Sequence, residues 1–172
     1  MKKEIGNWFC KYRLEKRQGN INACLTPLQR LAFLDRVEPF EVIEGELNCL
    51  LNAGIDEIWD LVTGAVSGAS HIFDNAAAQI GVGDSDTAAD PTQTDLQGSN
   101  KTYKGMEAGY PTSSSQKVTF KSSFGSGDAN YAWKEWVVKQ STSGISINRK
   151  VDAMGTKASG STWTLEVSIT LS

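Results

Sequence analysis

The sequence predicts an α+β protein that is mainly β: an antiparallel β-sandwich or strongly twisted sheet with a short N-terminal helical elbow packed on it. Three observations carry this. Residues 162–171 alternate apolar Trp163, Leu165, Val167, Ile169 and Leu171 with polar Thr164, Glu166, Ser168 and Thr170, the period of a half-buried strand. Beyond residue 96 helix signals nearly vanish, whereas residues 44–64 carry apolar residues at helical spacing. The short polar connections 125–128, 141–144 and 158–161 suit hairpins or sandwich crossovers, since parallel pairing needs longer returns.

At 172 residues one domain is the default. It divides into an N-terminal strand plus elbow (1–64), a flexible Gly/Ser/Ala-rich connection (65–77) and a β-rich part (78–172). Residues 8–16 open with a strand whose Trp8, Cys10, Tyr12 and Leu14 share a face opposite Lys11, Arg13 and Glu15. Residues 17–20 read as a turn, and Pro27 opens a short helix carrying Leu28, Leu31 and Leu34. The elbow follows. Its first helix starts at Glu44, lines up Leu47, Leu50 and Leu51, and stops at Gly54; its second sets Ile55, Ile58, Trp59 and Val62 on one face and closes at Gly64. Helices this short are marginal alone and require packing, against the sheet or, alternatively, as an arm on a neighbouring subunit.

Residues 78–82 predict a strand that breaks at Gly83 into an acidic ordered loop. Beyond it, residues 116–124 place Val118, Phe120 and Phe124 on one face. Residues 131–138 carry Trp133 and Val137 on one face and Trp136 and Val138 on the other, so this strand belongs centrally in a sheet. Residues 145–151 and 162–171 complete the set.

Composition excludes some function classes. The net charge of −3 opposes general nucleic-acid binding, which needs clustered cations. The apolar runs fall far short of the roughly 20 residues of a membrane span, and Glu4 and Asn7 interrupt any signal-peptide core, giving the expectation of a cytosolic chain. Cys10, Cys24 and Cys49 form no CxxC pair and read as buried free thiols. Residues 1–17 carry a net +4 and residues 35–60 a net −7. Such opposed patches are either solvated charge or complementary surfaces between copies.

Candidate chemistry is sparse. Asp84, Asp86, Asp90 and Asp95 resemble a calcium loop only loosely, because the fifth, sixth and twelfth positions from Asp84 are Ala88, Ala89 and Asp95 where an EF-hand needs a ligand, Gly and Glu. Turn and cap duty is the expectation, with Thr92 or Thr94 as caps. Gly81 and Gly83 lack the third glycine of a dinucleotide loop. His71, the single histidine, stands in a small-residue segment and reads as surface or packing. Trp133, Trp136 and Tyr131 read as core in preference to a carbohydrate platform. No catalytic, cofactor-binding or metal residue is assigned, and no enzyme activity is expected.

One likeness concerns assembly. Residues 48–64 (NCLLNAGIDEIWDLVTG), 80–90 (IGVGDSDTAAD), 93–96 (QTDL), 148–150 (NRK) and 155–165 (GTKASGSTWTL) together resemble a group of tailed-bacteriophage virion structural proteins, over most of the chain from residue 38. The resemblance implies a non-enzymatic, multi-copy capsid cement or decoration protein. Its partners would be the major capsid protein and neighbouring copies of itself, with assembly into the virion in the host cytoplasm. A tail, head-tail connector or fibre-base component, with a glycan as ligand, is the alternative.

Overall fold

The computed structural model describes residues 8–171; Lys2, Lys3 and Glu4 of the basic segment, and the signal-peptide reading, lie outside them. Two five-stranded antiparallel sheets form a sandwich. The first orders β2 (Glu41–Glu46), β1 (Trp8–Gln18), β10 (Ser161–Leu171), β7 (Lys117–Phe124) and β6 (Thr112–Ser114). The second orders β3 (Cys49–Leu50), β9 (Ser146–Thr156), β8 (Ala132–Gln140), β4 (Ala78–Gly83) and β5 (Lys101–Gly105).

The alternating strands take their expected places. β1 and β10 pair along their whole length, from Trp8 with Leu171 to Gln18 with Ser161, so the first and last strands close one another into the first sheet. Tyr12, Leu14, Phe120 and Leu165 from this sheet meet Ile80, Trp136 and Val138 from the other in one core.

Three expectations fail for identifiable reasons. The helix beginning at Glu44 does not form: residues 41–46 are β2, the edge strand beside β1. Their glutamates lie opposite the cations of β1, with Lys11 facing Glu46, Arg13 facing Glu44 and Lys16 facing Glu41. Each of these pairs makes an ion pair, and such opposite-charge neighbours favour the ladder. Three pairs of the opposed charges, those between β1 and β2, are therefore matched within one chain. Leu47, at φ +64, ends the strand.

Gly54 is the second correction, because it lies inside α2 (Asn52–Thr63) and does not stop a helix. It is a contact glycine: a Cβ there would come within 2.5 Å of Ile147 Cα. α2 itself ends as expected at Gly64, in the left-handed conformation. Ile58 packs on the core, but Trp59 and Val62 are 61% and 71% exposed, so the apolar stripe faces outward along part of its length.

The third correction concerns β8, which is central as expected. Trp133 and Trp136 both enter the main core, because pairing with β9 slips between Trp133 and Glu135 and the strict alternation is lost there. Val137, buried, faces the other side of the sheet, outside that cluster.

α1 (Pro27–Arg36) starts at the expected proline, with a capping box between Thr26 and Gln29. None of its residues is buried; Leu28 and Leu31 are 75% and 63% exposed. Half-buried Phe33, beside Gly19, and polar contacts hold it: Arg30 grips Glu107 through two hydrogen bonds at 3.2 and 2.5 Å, and Arg17 Nε donates to Val37 O at 2.7 Å.

Candidate functional site

The acidic loop after β4 folds back over the outer face of the second sheet and covers a buried ion pair. Glu135 on β8 and Arg149 on β9 both have 0% exposed side chains, and Arg149 Nε meets Glu135 Oε2 at 2.7 Å. Two charges withdrawn from water persist only when their remaining hydrogen-bonding capacity is filled. The loop fills it. Glu135 accepts the backbone N–H of Gly98 at 2.7 Å, of Gln97 at 3.0 Å and of Ser85 at 3.4 Å. Arg149 donates to Thr87 O at 2.9 Å, Gln93 Oε1 at 2.9 Å and Ala88 O at 3.3 Å.

The glycines of β4 serve this packing. A Cβ on Gly83 would come within 2.4 Å of Glu135 Oε1, and one on Gly81 within 2.6 Å of the Tyr103 ring. Tyr103 and Lys139 then hold Asp95, through Tyr103 Oη at 2.8 Å and Lys139 Nζ at 2.6 Å. Lys101 Nζ donates to Leu96 O at 2.6 Å. Leu96 of the loop is fully buried yet outside the main core, as is Val137 on β8. The loop also touches α2, where Asn52 N–H donates to Pro91 O at 2.9 Å.

The carboxylates diverge. Asp84 takes Asn100, Asp86 takes Lys134 at 2.9 Å, Asp90 takes Thr92, and Asp95 is held as described. No group of three or more His, Cys, Asp or Glu is placed to hold a metal ion among the described residues. Local turn duty falls to Asp90, which accepts from both the N–H and the hydroxyl of Thr92, and to Asp95, which accepts from Leu96 N–H; Asp84 and Asp86 instead bond Asn100 and Lys134 elsewhere in the chain.

These contacts hold several carboxyls below the ordinary carboxylate range: Asp84 through Asn100, Asp86 through Lys134 and Asp90 through Thr92. The unfolded chain, with Asp near 3.9, then binds more protons than the folded one in acid. Stability from these groups is complete above about pH 4 and is lost as pH falls through their depressed values. An acid titration followed by thermal unfolding is expected to show Tm falling below about pH 4, and Asp84→Asn is expected to flatten part of that slope.

His71 lies half-buried with Nδ1 2.9 Å from Glu57 Oε1 on α2; among the described residues no serine or cysteine bonds to it. This is packing, as expected. Trp133 and Trp136 are fully buried, so neither offers a face to a sugar. Cys10 is buried, and burial pushes its thiol up to about 12; Cys24 and Cys49 are free and half-buried.

Sequence reasoning missed Glu135 and Arg149. The available signal was a charged residue on a strand expected to be covered on both sides, which demands a buried partner. No helix among the described residues is long and apolar enough to cross a membrane. Comparison with family models, with curated proteins and with solved structures gives no match to this chain.

Proposed function

We propose that this chain is a non-enzymatic virion structural protein, a multi-copy capsid cement or decoration protein that stabilises a phage head through contacts with the major capsid protein and with its own copies. The likeness of residues 48–64, 80–90, 93–96, 148–150 and 155–165 to tailed-phage virion proteins motivates the reading. The observation that carries it is the apolar surface left open on both helical segments. Leu25, Leu28 and Leu31 at α1 are 88%, 75% and 63% exposed, and Trp59 and Val62 on α2 are similarly open. Apolar side chains grouped this way suit burial in an assembly. The facing charges of β1 and β2 contribute nothing to this reading, since they pair with one another within the chain.

A tail, connector or fibre-base role is the second reading, and its glycan-binding form would have to use an aromatic other than Trp133 or Trp136. Trp59 is the exposed tryptophan on α2. Imaging and quantitative mass spectrometry of purified virions test the proposal. The expected result is many copies distributed over the head; a handful of copies at one vertex or along the tail would sink it.

A further inference from the structure

Lys157, directly after β9, is 1% exposed. Its N–H bonds Tyr131 O at 3.0 Å, which sets its side chain beside the turn that joins β7 to β8. There Nζ donates to Gly125 O at 2.7 Å and to Asn130 Oδ1 at 3.0 Å. Asn130 is fixed in turn, because its Nδ2 donates to Ser126 O at 2.8 Å and so points its carbonyl at the amine. The carboxylate of Asp128, whose field reaches Lys157, is occupied by Gly125 N–H at 2.8 Å, Asn22 Nδ2 at 2.9 Å and Lys104 Nζ at 3.2 Å.

A buried amine held against a carboxamide is a nucleophile beside an electrophile. From this juxtaposition we propose that Lys157 and Asn130 join in an isopeptide bond, formed without an enzyme, that ties the start of β8 to the end of β9. The Nζ lone pair attacks Asn130 Cγ, which lies one bond from the contacted oxygen. A C–N bond forms, and the Cγ–Nδ2 bond breaks with its electron pair going to nitrogen. A proton released by Nζ passes to that nitrogen through water at the exposed Asn130 side, and one ammonia leaves. Nothing is oxidised or reduced. Asn130 reaches the surface, which gives the ammonia an exit. Burial also pushes the Lys157 amine down to about 8 against the pull of Asp128, so the nucleophilic neutral form is well populated in mildly alkaline solution.

The cross-link does not depend on the virion reading. Intact mass spectrometry of the full chain, purified, incubated and denatured, is expected to read about 17 Da below the sequence mass, the loss of one ammonia. A proteolytic digest is expected to contain one branched peptide that joins the segments around Lys157 and Asn130. Lys157→Arg and Asn130→Ala are each expected to restore the sequence mass. The branched peptide is read on the unaltered chain, so poor folding of a variant leaves the test intact. A wild-type mass equal to that of the sequence overturns the proposal. So does a loss that persists in Lys157→Arg, which would mark succinimide formation at an asparagine.

Discussion

Arg149→Met is expected to destabilise the protein by about 3–5 kcal/mol, because it removes one partner of a buried ion pair and leaves the other charge uncompensated. Glu135 would remain fully buried on β8 with its guanidinium partner gone. Thr87 O would lose the Arg149 donor, while Gln93 Oε1 and Ala88 O would each lose one donor and keep another, from Asp90 N–H and Gln93 Nε2 respectively. Glu135→Gln should cost a similar amount from the opposite side, since the amide retains shape but loses the charge that Arg149 requires. The double variant is the informative one. In a simple buried pair, joint replacement by apolar residues is often neutral. Here the partners also satisfy backbone groups of the loop on both sides, so the double variant should stay well below wild type while costing less than the sum of the singles. Urea unfolding of the four proteins measures this cycle. Limited proteolysis adds a local readout, with new cleavage expected within residues 84–98.

Trp133→Ala should cost about 3–5 kcal/mol, the range for emptying a large aromatic from a packed core. Trp133 is edge-on to Phe124 at 4.7 Å and to Trp163 at 4.8 Å between ring centroids, and its indole N–H donates to Ala129 O at 2.9 Å. Its removal therefore opens the contact between the two sheets and takes one of two donors from Ala129 O, which keeps the Tyr131 N–H at 2.9 Å. Trp133→Phe should recover part of the loss, because the ring contacts return without the N–H. Thermal unfolding measures both, and a Trp133→Ala protein that unfolds like wild type would contradict the core assignment. The same result bears on function: a loss of glycan binding in this variant would report unfolding and not a sugar platform.

Residues whose partners are set by their own periodicity were legible in the sequence. β10, β1 and β4 are readable because each alternates against a single core, and the body and C-terminal end of α2 because its apolar spacing runs up to Gly64; its start was not, since Leu51 offers no side-chain cap. β2 was not legible. Its signal is the match of Glu41, Glu44 and Glu46 to cations on a strand some thirty residues earlier, which no local window contains. β5 and β6 are short and polar, KTYKG and TSS, and become strands only because β4 and β7 offer them an edge. The role of the acidic loop was partly legible. Its small and acidic residues announce turns, and the weakness of the calcium and phosphate comparisons follows from spacing alone. What it covers depends on Glu135 and Arg149, fourteen residues apart and on different strands, whose burial exists only after the loop has closed over them.

The loop as a fixed cover over a buried ion pair is the claim on which the reading of this site rests, and native-state hydrogen exchange tests it most directly. The Gly98 amide, which donates to Glu135 at 2.7 Å from a buried position, should exchange as slowly as amides of β8 and β9, with protection tracking global stability. Exchange at the rate of an exposed loop would contradict the account.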